Sequence, residues 1–93
     1  MKLLPAEVGK RVRFELSAKP GSKVFVAGSF NKWNPTENSL KDNPDSGHYK
    51  GVLLVPAGAH EYKFVVDGIW TVDPKCTDWI ENAYGSMNSV LRV

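Results

Sequence analysis

Ninety-three residues with a net charge of +2 and a hydrophobic fraction of 42% make one small soluble domain, without room for a separate catalytic domain. The twelve Lys and Arg are scattered among ten acids, which argues against a nucleic-acid partner, since that usually needs a dense basic stripe. The single cysteine, Cys76, excludes an internal disulfide and suits a reducing compartment, so a cytoplasmic protein is expected.

Taken in chain order, Met1 to Pro5 holds two leucines before a proline, far short of a signal-peptide hydrophobic region, and no later segment reaches membrane-spanning length. Neither export nor a membrane partner is expected. Val12, Phe14 and Leu16 alternate with Arg11, Arg13 and Glu15, which predicts a first strand with one wet face. Lys19-Pro20-Gly21-Ser22 is a turn, and Lys23 to Gly28 a second strand. Asn34-Pro35 and the polar stretch Lys41 to Gly47 are read as one long irregular connection before a strand from about His48 to Val55. Pro56-Ala57-Gly58 then turns the chain into the segment Glu61 to Trp70.

That segment reads as a β-hairpin about Asp67-Gly68, because a two-residue Asp-Gly turn supplies the positive φ values of a type I′ connection. The turn fixes the register. Val66 faces Ile69 and Val65 faces Trp70, so Lys63, Val65, Trp70 and Val72 share one face, while Tyr62, Phe64, Val66 and Ile69 share the other. The second set is the side expected to be buried against another sheet, which leaves Trp70 beside Lys63 toward solvent. An exposed indole next to an ammonium suits a neutral polyhydroxylated ligand: the ring packs on the apolar C–H face of a sugar, and the cation reaches its hydroxyls. A loop from Asp73 to about Ser86 follows, and Asn88 to Val93 is a final strand with Leu91 and Val93 toward the core. Roughly seven short strands and no helical segment predict an all-β immunoglobulin-like β-sandwich of the early-set type, a single module over residues 1–93.

Other candidates have plain structural alternatives. Trp33, just past a strand and before Asn34-Pro35, fits either display at the surface or capping of the core's end. Trp79 reads as a loop anchor over the sheet edge, and Tyr84 beside Gly85 is undecided by pattern. Lys63 alone would pass for a solubilising charge, Asn88 for a residue satisfying the sheet edge, and Asn31 and Asn34 for turn formers. His48 and His60 lie on different strands with no Cys or carboxylate at a metal-ligand spacing, so surface histidines and no metal site are expected. No nucleophile elbow, phosphate-binding glycine loop or triad is present in the sequence; neither enzymatic activity nor a cofactor is expected.

Three segments in order, V-F-V-A-G-S-F-N-K-W-N (Val24 to Asn34), H-E-Y-K-F-V-V-D-G-I-W-T-V-D-P (His60 to Pro74) and Y-G-S-M-N-S-V-L (Tyr84 to Leu91), resemble the family 48 carbohydrate-binding modules. That family includes the glycogen-binding domain of AMP-activated protein kinase β subunits and the N-terminal modules of branching and debranching enzymes, and the resemblance covers roughly Arg11 to Val93. It implies non-catalytic binding of α-1,4-glucans such as glycogen, starch or maltooligosaccharides. It also implies roles: Trp33 and Trp70 as stacking platforms, Lys63 as the hydroxyl-binding cation and Asn88 as the amide that bonds sugar hydroxyls. Ser86 keeps the hydroxyl of a threonine found in the kinase-type domains, and Tyr84 replaces a leucine that buttresses the glucan there. Because some family members are fused to enzymes, docking of a catalytic domain or kinase-type partner is the competing expectation.

Overall fold

The computed structural model describes residues 9–42 and 46–93. These form eight strands in chain order: β1 (Lys10–Ser17), β2 (Val24–Gly28), β3 (Asn38–Asp42), β4 (His48–Val55), β5 (Ala59–Val66), β6 (Ile69–Thr71), β7 (Trp79–Glu81) and β8 (Met87–Arg92). All the pairings are antiparallel, in the order β1-β4-β3-β2-β5-β8-β7, with β6 added to β5. The strand β3 makes the curl. Its first half pairs with β2 through Asn38, Ser39 and Leu40, and its second half pairs with β4 through Lys41 and Asp42. The sheet therefore folds over on itself into two layers, as in an immunoglobulin-like sandwich.

Alternation decides what lies between the layers. Phe14 and Leu16 of β1 and Tyr49 and Val55 of β4 meet Val24 and Val26 of β2 and Tyr62 and Phe64 of β5 in one buried cluster. The Phe14 ring packs edge-on to Tyr62 at 5.2 Å and to Phe64 at 6.5 Å, so aromatic contacts stitch one layer to the other. Each fully buried side chain such as Phe64, Val24, Val26 or Val55 contributes roughly 1.5–3 kcal/mol of transfer free energy. Leu91 of the final strand and Val93 just beyond its end pack against this cluster, as the alternation predicts.

The Asp-Gly hairpin has the register read from the sequence, with Val65 opposite Trp70 and Val66 opposite Ile69. Asp67 and Gly68 take φ values of +50° and +84°, the left-handed pair that a type I′ turn requires. The core face of the hairpin holds Tyr62 and Phe64, but Ile69 is exposed. This corrects the expectation for Ile69: β6 is a short edge strand, and a core-facing side chain is buried only where the other layer covers it.

Several other expectations are also corrected. Lys41 and Asp42 belong to β3, and the rest of that connection over 43–45 lies outside the described residues, as does the Met1 to Pro5 segment. The Asp73 to Ser86 stretch is interrupted by β7, which pairs with β8 from Trp79 opposite Ser89 to Glu81 opposite Met87. Trp79 is exposed on this outer edge rather than anchoring a loop. A short 3-10 turn, Ser29–Asn31, follows β2. His48 bonds Glu15 at 3.0 Å, and His60 bonds the Ser29 hydroxyl at 2.8 Å and the Pro56 carbonyl at 2.9 Å. Among the described residues no helix is long and apolar enough to cross a membrane.

Candidate carbohydrate-binding site

The strand β5 changes partner along one edge. It pairs with β8 over Ala59 to Tyr62 and with β6 over Phe64 to Val66, which leaves Lys63 at the fork between them. Residues from three distant parts of the chain converge there. The fork opens into a groove of about 640 Å³ with an aromatic wall of Trp33, Trp70 and Tyr84 and a polar wall of Glu61, Lys63, Asn82, Ser86 and Asn88. That volume falls in the range typical of ligand sites, roughly 300–1,000 Å³.

Trp70 reaches the groove by strand alternation, directly across from the buried Val65. It stays 45% exposed. Trp33 arrives by a different route, through the turn after β2. Gly28 begins that turn at a close approach, since a Cβ there would lie 2.5 Å from the Glu61 carbonyl oxygen and 2.8 Å from the Tyr62 Cβ. The buried Asn31 then bonds in three directions: its Oδ1 accepts from the Gly28 N–H at 3.0 Å, and its Nδ2 donates to the Val26 carbonyl at 3.0 Å and to Asn38 Oδ1 at 2.7 Å. Asn31 is thus a buried strut and not merely a turn former. Asn34 does act as a turn former, its Oδ1 accepting from the Thr36 N–H at 3.0 Å.

Lys32 and Trp33 follow in the left-handed region, at φ of +57° and +58°, a conformation costing non-glycine residues on the order of 1–3 kcal/mol each. The Trp33 N–H donating to the Gly28 carbonyl at 2.8 Å closes the turn. As a result the Trp33 and Trp70 rings sit 6.3 Å apart with their planes inclined at 47°. Trp33 is half-buried, so it faces the groove rather than capping the core.

The polar wall is tied together from below. Lys63 is 8% exposed and Asn88 6%; both were expected nearer the surface. The Lys63 ammonium donates to the Ser86 hydroxyl at 2.6 Å. Asn88 donates to Glu61 Oε1 at 2.9 Å and accepts from Asn82 Nδ2 at 3.0 Å. Asn82 in turn holds the loop above, its Oδ1 accepting the N–H groups of Tyr84 at 2.9 Å and Ser86 at 3.1 Å. On the core side, the Tyr62 hydroxyl donates to Asp73 at 2.6 Å. Burial first, and then this bond, hold the Tyr62 hydroxyl in its protonated form far above its usual range.

Trp33, Lys63, Trp70, Tyr84, Ser86 and Asn88, the residues singled out in the sequence, therefore line one groove. Glu61 and Asn82 were not among them. Glu61 carried a legible signal, two residues before Lys63 and so on the same face of β5; Asn82 carried none, since only the loop's folded path brings it in. Among the described residues no group of three or more His, Cys, Asp or Glu side chains is placed to hold a metal ion.

Two inclined indoles thus face amide, hydroxyl and ammonium groups across one groove on the outer face of a β-sandwich layer, and the class of protein, a carbohydrate-binding module, follows from the family that the chain matches. The family described as the glycogen recognition site of AMP-activated protein kinase matches residues 11–93, and the chain belongs to that family. It is 34% identical over 73 residues to the 5'-AMP-activated protein kinase subunit beta-1 of Sus scrofa, covering 78% of this chain and 56% of that relative. It is 36% identical over 73 residues to the subunit beta-2 of Homo sapiens and of Mus musculus, covering 25% and 26% of those relatives. The chain thus spans about half of the first relative's length and about a quarter of the other two.

Proposed function

We propose that this chain is a non-catalytic module that binds α-1,4-glucans such as glycogen, with Trp33 and Trp70 as stacking platforms, Lys63, Ser86 and Asn88 bonding sugar hydroxyls, and Tyr84 beside them. The observation that carries this reading is the 47° inclination of two indoles 6.3 Å apart. A helical glucan presents a curved row of sugar faces, which inclined rings follow better than a flat platform does. The family's description as a glycogen recognition site supports the same ligand. Burying about 100 Å² of apolar surface per ring at about 25 cal/mol/Å² yields roughly 2–3 kcal/mol for each, before ordering costs. Dissociation constants from about millimolar to about 10 μM follow.

A kinase-type partner is the second reading, favoured by the relatives' names as subunits of a kinase. The free thiol of Cys76 suits the cytoplasm as the place of either activity. Native gel electrophoresis with soluble glycogen separates the two. Sugar binding predicts retardation of the wild type and its loss in Trp70→Ala, with an unchanged circular dichroism spectrum because Trp70 lies outside the core. Unchanged mobility of the wild type would favour docking instead.

A further inference from the structure

We propose that Glu61 is a specificity-determining residue of the groove: its carboxylate accepts hydrogen bonds from hydroxyls of the bound sugar and turns away anionic glucans. This rests on the glucan reading above.

Sugar hydroxyls both donate and accept, so a site that reads them needs acceptors as well as donors. Lys63 is donor-only, and its ammonium retains N–H groups beyond the one given to Ser86. The carbonyl oxygen of Asn88 is already engaged by Asn82, and the Ser86 oxygen by Lys63. The strongest remaining acceptor is Glu61. Its Oε1 is held by Asn88 at 2.9 Å, which fixes the carboxylate's orientation, while Oε2 has no side-chain or backbone partner among the described residues. Glu61 and Lys63 lie on the same face of β5, two residues apart, and line the same groove. Among the described residues no ion pair joins them within 4.0 Å, so neither charge is consumed by the other. A hydroxyl lying between them could accept from the ammonium and donate to the carboxylate, and hydrogen bonds to charged groups are stronger than neutral ones.

Charge adds the selective element. Among the described residues, Glu61 is the only acidic one lining the groove and Lys63 the only basic one. With both present the groove is balanced and favours a neutral polyol. Replacing the carboxylate leaves the ammonium uncompensated, which favours an anion.

Isothermal titration calorimetry of the wild type and Glu61→Gln, each against maltoheptaose and against maltoheptaose bearing a 6-phosphate, tests the assignment, with thermal melts as a control for folding. Glu61→Gln is expected to bind maltoheptaose about fivefold more weakly. Its affinity for the phosphorylated chain relative to the neutral one is expected to rise about tenfold. An equal loss toward both ligands would overturn the proposal, because it would show Glu61 acting only through its hold on Asn88. Unchanged isotherms for both would overturn it too, while wild-type binding of maltoheptaose left the glucan reading standing. If the wild type bound neither ligand, both readings would fall together.

Discussion

Tyr84 stands 92% exposed at the mouth of the groove, held there by its backbone N–H to Asn82 rather than by packing of its ring. Such exposure leaves the ring little to contribute to stability and much to offer a ligand. Tyr84→Leu is accordingly expected to change maltoheptaose affinity by about threefold while moving the melting temperature by less than about 1 °C, both read on the same preparation. A lowered melting temperature with an unchanged isotherm would assign Tyr84 to loop packing instead. The position of Trp70 is legible in the sequence, since the Asp67-Gly68 turn dictates which side chains share its face. The burial of Lys63 is not. Alternation says only that Lys63 points away from the core; its contact with Ser86, 23 residues further on, exists only once the chain has closed. The same holds for Trp33, whose half-buried position depends on two left-handed residues that no pattern announces.

The elements that build the groove differ in how plainly they are written. The strands β1, β4 and β5 carry clear alternation and turn punctuation, and their observed bounds follow it. The strands β3 and β7 do not: Asn38–Asp42 has a single core residue, Leu40, and Trp79–Glu81 is three exposed residues at an edge. Both exist because neighbouring strands offer free backbone groups, a tertiary cause that leaves little trace in local composition. The turn after β2 is the element on which the aromatic wall depends most. Gly28→Ala would press a methyl group onto the Glu61 carbonyl, so a loss of about 1–3 kcal/mol in denaturant unfolding is expected. Reduced glucan affinity should accompany it as Trp33 shifts. The connection between β3 and β4 yields a pH prediction. Asp42 accepts the N–H groups of Ser46 and Gly47, each at 2.8 Å. Desolvation raises its pKa, but these bonds outweigh it and leave the carboxyl below its ordinary 3.8. A lowered folded pKa means stability that is present above pH 3.8 and lost as the pH falls through the lowered value. Thermal melts of Asp42→Asn should therefore show a shallower decline below that pH than the wild type.

At the scale of the whole molecule, one curled sheet serves two purposes by keeping them on opposite faces. The inner face of the β2-β5-β8 layer holds the aromatic core and the outer face holds the groove, so on β5 side-chain alternation separates Tyr62 and Phe64 of the core from Glu61 and Lys63 of the groove, while a turn and a loop bring in the rest. That division explains why an all-β sandwich and its hairpin could be read from the sequence, whereas the complete polar wall could not: Asn82 joins it only once the chain has closed. It also predicts that truncating the exposed groove residues Trp70 and Tyr84 leaves the fold intact, in contrast to Phe64→Ala, which would remove a fully buried ring at a cost of about 3–5 kcal/mol. An α-glucan is expected to bind at the inclined tryptophan pair. A two-dimensional nuclear magnetic resonance titration with maltoheptaose, following the indole N–H signals of Trp33, Trp70 and Trp79, checks this. The signals of Trp33 and Trp70 should shift together along one saturable isotherm, while that of Trp79, on the far edge in β7, stays in place. Shifts confined to Trp79, or no saturable shift at all, would contradict the account.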